Sequence, residues 1–172
     1  MKRNILILII AVFALTQAAA QTYDNLWKQA DIIARKDQPR SEIGVMKKII
    51  SKASAAQDYG QLLAAEMRQM ILWKEISADS LMPNVERMEA EVLKVKDPAL
   101  KAVRYAVLGK VYSDMDEKKS EEFFEKALQQ PELLAKHTST EYIPLTLKGV
   151  DGSSFNNDLL HLIGFEADSK EA

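Results

Sequence analysis

The run ALKAVRYAVLGKVYSDMDEKKSEEFFEKALQQP, residues 99–131, reads as two helices folded back on each other. Its first half sets Tyr105, Leu108, Gly109 and Tyr112 at helical spacing, and its second half carries Phe123, Phe124, Ala127 and Leu128. Between them the polar Ser113-Asp114-Met115-Asp116-Glu117 breaks the period. A small Gly109 on the first helix lets the second approach closely, and the aromatics fill the wedge around it. Pro131 has no amide to donate and clashes with the preceding turn, so it is expected to end the second helix. Nothing in this hairpin is chemical.

The order aromatic-x2-Leu-Gly-x2-Tyr, followed by Phe123, Phe124, Ala127, Leu128 and Pro131, resembles a tetratricopeptide (TPR) repeat. The resemblance implies an all-α fold of antiparallel hairpins stacked as a right-handed solenoid. A concave surface lined by the first helix of each hairpin would then hold a peptide or a partner protein. In the best-defined hairpin the candidate partner-binding residues on that surface are Lys101, Arg104 and Lys110. Three cations there would favour an acidic ligand or a C-terminal carboxylate.

Upstream, the same period recurs helix after helix. Tyr23, Leu26, Trp27, Ala30, Ile33 and Ala34 share one face of a first helix. Asp37-Gln38-Pro39 is a stop and restart, with Pro39 suited to the first turn of the next helix. That helix puts Ile43, Met46, Ile49, Ile50 and Ala53 on one side and Lys47, Lys48 and Lys52 on the other. Asp58 is a natural N-cap for a third helix running from Tyr59 to about Ile76. Ser77-Ala78-Asp79-Ser80 reads as a turn, and Pro83 as part of the first turn of a fourth helix with the stripe Leu81, Val85, Met88, Val92 and Val95. Asp97-Pro98 is the clearest boundary, with Asp as cap and Pro at the first helical position. No stretch before Pro131 alternates with period two, so the body reads as all-α.

Residues 1–20 read as a signal peptide: basic Lys2 and Arg3, an apolar run from Ile5 to Leu15, then small residues before a cleavage after Ala20. The run is short for a bilayer core of about 30 Å. The expected mature chain is exported, periplasmic or extracellular, and free of membrane once cleaved. With no cysteine it carries neither a lipobox lipid nor a disulfide framework. Of 23 basic residues, removing Lys2 and Arg3 leaves 21 against 25 acidic, so net charge moves from −2 to −4. That balance, with no basic run, points away from nucleic acid.

The expected organisation is a TPR-like helical domain over residues 21–135 and a less regular segment over 136–172. Within the latter, Tyr142 to Leu147 reads as extended, and Asn157-Asp158 caps a short apolar helix at about 157–164 that Gly164 ends. A repeat array ends on a helix with a polar outer side. Here an apolar helix lies near the end, so the expectation is the front of a longer protein or a shortened copy.

Two stretches, Tyr23-Asp24-Asn25-Leu26-Trp27-Lys28 and Phe155-Asn156-Asn157-Asp158-Leu159-Leu160-His161-Leu162-Ile163-Gly164, resemble the N-terminal helical region of large exported bacterial α2-macroglobulin-like proteins. That family traps proteases, in some members through a Cys–Gln thioester. No cysteine is present here, so none of the family's functional residues carries over. The resulting expectation is a non-enzymatic exported interaction or structural module, alongside downstream domains or a protein or peptide partner. The alternative is a free-standing periplasmic TPR-like adaptor.

No phosphate loop, nucleophile elbow or Ser/His/Asp order is present. Asp158 and His161, with His137 further off, are too few ligands for a zinc site. Asp158 reads as a helix cap and His161 as a partly buried helix residue, with no cofactor implied. Met46, Met67, Met70, Met82 and Met88, with Trp27 and Trp73, read as packing residues.

Overall fold

A computed structural model describes residues 22–146 and 158–168. The signal-peptide reading of residues 1–20 lies outside them, as do Phe155, Asn156 and Asn157. Among the described residues the chain is all-α, with no strand and a single antiparallel bridge between Thr138 and Asp158. No described helix is long and apolar enough to cross a membrane.

Among the described residues eight helices follow one another: α1 (Tyr23–Ala34), α2 (Pro39–Ala56), α3 (Tyr59–Ile76), α4 (Ala78–Val92), α5 (Pro98–Tyr112), α6 (Glu117–Ala127), α7 (Pro131–Leu134) and α8 (Leu159–Asp168). A 3₁₀ turn, Ser139–Tyr142, lies between α7 and α8. Starts are set by side chains that take up orphan amides. Thr22, Asp58, Asp97 and Asp116 accept hydrogen bonds from Asn25, Gln61, Leu100 and Lys119 N–H groups. Pro39, Pro98 and Pro131 occupy first helical positions, where no amide is missed.

Each helix packs on its successor as far as α6, and α3 also packs on α5. The apolar stripes meet in three clusters. One centres on α2 with α1 and α3 (Leu26, Met46, Ile49, Leu72), one on α4 with α5 (Val85, Met88, Leu108, Tyr112), and one on α5 with α6 and α8 (Val103, Phe124, Leu159, Ile163). Met46, Met70 and Met88 are buried, as core packing requires.

Gly109 shows why the α5–α6 hairpin is so close. A Cβ there would lie 2.6 Å from the Phe124 ring, and the Ser120 hydroxyl donates to the Gly109 carbonyl at 2.6 Å. Gly60 plays the same part for a segment the pattern did not connect to it. A Cβ on Gly60 would overlap the Ile143 carbonyl oxygen and come within 2.6 Å of the Tyr142 carbonyl carbon. The chain after the 3₁₀ turn therefore crosses directly over the start of α3.

Five sequence expectations change. Pro131 begins α7 rather than ending α6, because Leu128 already closes α6. Helix α4 starts at Ala78, so Pro83 sits inside it; the Asn84 side-chain amide donates to the Ser80 carbonyl at 2.9 Å nearby. Tyr142 ends the 3₁₀ turn and residues 143–146 form turns rather than an extended run, anchored by the Thr146 hydroxyl donating to the buried Ser139 carbonyl at 2.7 Å, while Leu147 lies outside the described residues. Gly164 does not end the last helix, which continues to Asp168. Finally, that apolar helix is not left uncovered: α8 docks on α5, α6 and α7, burying Leu159 and Ile163.

Candidate functional site

The candidate residues Lys101, Arg104 and Lys110 all lie on α5 but face different ways. Nine positions separate Lys101 from Lys110, which at about 3.6 residues per turn puts them on opposite sides of the helix. Lys101 borders a cleft against the end of α6, together with Tyr105 and Lys126. Lys110 looks toward α8 and pairs with Glu166 at 2.9 Å. Arg104 points to a third side, toward α3 and α4, and is only 8% exposed. The structure does not bring the three together as one cationic surface.

On the Lys110 side lies an apolar groove of about 220 Å³. Met67 from α3, Val103, Ala106 and Val107 from α5, and Leu159, Leu162 and Ile163 from α8 form its walls, with Leu145 and Thr146 closing one part. The residues of α5 facing it, 103, 106, 107 and 110, follow the i, i+3, i+4, i+7 spacing of one helical face. The Lys110–Glu166 ion pair sits at this groove, the charged border of an otherwise greasy surface.

Arg104 is part of an ionic cluster. Its Nη1 donates to Glu66 at 3.3 Å and lies 4.0 Å from Glu91, which also accepts from Arg87 at 2.8 Å. The Arg104 Nε is buried without a partner. Burial pushes the Glu66 carboxyl above its ordinary range, and the nearby Arg104 guanidinium opposes that rise. The signal for this cluster was present in Glu66 and Glu91. Charge on an amphipathic helix is normally outward, and only the packing of α3 and α4 on α5 buries Glu66 and brings the partly buried Glu91 beside Arg104. A second such pair joins α2 to α3, where Arg68 Nε donates at 2.7 Å to the buried Glu42.

The remaining polar side chains act as local fastenings. Lys119 donates to the Tyr112 hydroxyl at 3.1 Å, Tyr112 donates to Glu89, and Lys119 pairs with Glu89 at 3.5 Å, clasping α4, α5 and the start of α6. Asp158 caps α8, accepting from the His161 amide at 2.9 Å and meeting the His161 ring Nδ1 at 2.8 Å. These bonds hold the Asp158 carboxyl below its ordinary value. The His161 side chain is 72% exposed rather than partly buried. His137 pairs separately with Glu141 at 2.9 Å, and that bond lowers the Glu141 carboxyl. Among the described residues no three His, Asp or Glu side chains are grouped to hold a metal. No protein-family model matches the chain, and no curated protein or solved structure matches it either.

Proposed function

We propose that this chain is a non-enzymatic, exported helical interaction module whose α3, α5 and α8 form the wall of a partner-binding groove. The groove carries the reading: a concave apolar floor with a charged border suits an apolar side chain of a peptide or helix. TPR-like stacking is supported by the order of contacts. Helix α3 packs on both α4 and α5, and α5 on both α6 and α8, so α3, α5 and α8 adjoin one another in a row. In a solenoid built this way, that row faces the concave side.

Export rests on the Lys2–Ala20 pattern. Placement at the front of an α2-macroglobulin-like protein rests on Tyr23–Lys28 and Phe155–Gly164. A free-standing periplasmic adaptor is the second reading. Burial of Leu159 and Ile163 favours it, because the apolar helix is engaged within this chain. Both readings use the same groove.

A photo-crosslinking amino acid at Ala106, on the groove wall, tests the proposal in the native cells. The control position is Lys47, exposed on α2. A discrete protein adduct from position 106 and none from position 47 is the expected result. Equal adducts at both positions, or none at 106, would remove the groove from consideration.

A further inference from the structure

We infer that the cleft between the N-terminal end of α5 and the C-terminal end of α6 binds an acidic segment of a partner protein. This deepens the interaction-module reading and rests on it. Three lysines converge on a space of about 320 Å³: Lys96 from the α4–α5 connection, Lys101 from the first turn of α5, and Lys126 from the last turn of α6. Tyr105, Gln129 and Gln130 border it as well, and among the described residues no carboxylate lines it.

This convergence runs against the balance of the chain, in which acidic residues outnumber basic ones by 25 to 23. At the other concave surfaces of α5 carboxylates stand beside the cations. Arg104 meets Glu66, Arg87 meets Glu91, and Lys110 meets Glu166. In the lysine cleft the neighbouring carboxylate in sequence, Asp97, is turned to cap α5, accepting from the Leu100 amide at 2.7 Å. Lys126 sits 4.9 Å above the Phe123 ring, a contact that places the ammonium without neutralising it. Tyr105 stacks on the same ring at 6.1 Å, giving the cleft a rigid aromatic side. The N-terminal end of α5 adds the positive end of its dipole.

The ligand chemistry follows from these groups. Lysine ammonium groups are compact point charges on flexible stems, suited to several carboxylates at adjustable spacing. The exposed Gln129 and Gln130 add amides that both donate and accept, as a peptide backbone requires. Together they fit an Asp- or Glu-rich peptide better than a lone anion. The cleft lies on the side of α5 opposite the groove, so the two can be disabled separately.

The test is fluorescence anisotropy with the full chain and a fluorescein-labelled Asp/Glu peptide, against its Asn/Gln counterpart. Saturable binding of the acidic peptide is expected, weakened by salt. Joint substitution Lys96→Glu, Lys101→Glu and Lys126→Glu should raise Kd about tenfold or more, while reversal of Lys28, Lys47 and Lys48 should leave it unchanged. Matching far-UV circular dichroism and Tm would show that both variants fold. Ala106→Arg, in the groove, should keep the acidic-peptide affinity. Four results would each overturn the inference: no saturable binding, equal binding by the cleft variant, equal loss in the control variant, or displacement by inorganic phosphate alone. Loss of the position-106 crosslink with cleft binding intact would refute the groove reading instead.

Discussion

Replacing glycine by alanine at Gly44 and at Gly60 sets helix propensity against packing in one pair of experiments. In a helix interior the change is worth about 1 kcal/mol in favour of alanine. Gly44 lies exposed within α2, and an added Cβ would meet nothing within 4 Å. Gly44→Ala should therefore stabilise by about 0.5–1 kcal/mol. At Gly60 the same methyl would overlap the Ile143 carbonyl oxygen and press within 2.6 and 2.7 Å of the Tyr142 and Ile143 carbonyl carbons. These are backbone atoms in a segment held by buried Tyr142 and by the Thr146–Ser139 hydrogen bond. They cannot swing aside as a side-chain tip can. Overpacking of this kind costs about 1–3 kcal/mol, against a propensity gain of at most about 1 kcal/mol near a helix start. The net expectation is a loss of about 1–2 kcal/mol, or roughly 2–8 °C in Tm for a chain of this size. Urea unfolding followed by far-UV circular dichroism reads both variants. Opposite signs are expected, and shifts in the same direction would refute the close approach of residues 142–143 to α3.

The ionic cluster gives three further expectations. Arg104→Ala should destabilise by about 3–5 kcal/mol because it leaves Glu66 buried and unpaired. Adding Glu66→Leu to it should recover most of that loss, and a double-mutant cycle showing simple additivity would contradict the pairing. The third concerns pH. Because burial raises the Glu66 carboxyl above 4.5, the folded chain binds that proton more tightly than the unfolded chain. The resulting stabilisation is full below 4.5 and is lost as pH rises through the folded value. Glu66→Gln removes the effect, so its stability relative to the parent should improve from pH 4.5 toward neutrality; a constant difference across that range would count against it. Separately, Asp97→Ala should cost about 1 kcal/mol through the α5 cap, measured by the same urea titration.

Local chemistry is what the sequence states most clearly. Pro39, Asp58, Asp97 and Pro98 mark helix starts because each acts on the amides of its own first turn. Gly109 was readable for a similar reason, since its contact with Phe124 spans one short hairpin. Interactions across long separations were not readable. Gly60 looks like an ordinary helix residue until residues 142–143 are folded over it. Arg104, Glu66 and Glu91 look like surface charges, since an apolar stripe tells which face is inward but not whether a neighbour's charge closes over the flank. Pro131 misleads because proline both stops one helix and starts the next, and only the position of Leu128 decides between them. For the candidate site, residue type suggested a cationic surface on α5. Counting turns from Lys101 to Lys110 would already have split it into separate faces.

Hydrogen exchange along α8 in the intact chain reports whether the groove keeps its α8 wall. The groove exists only if α8 stays docked on α5, with Leu159 and Ile163 in the shared core. Amides around Leu162 and Ile163 should exchange on a timescale comparable to those of Val103–Val107 in α5. Exchange of α8 at the rate of an unstructured peptide, with α5 still protected, would contradict it, because the groove would then lack its third wall.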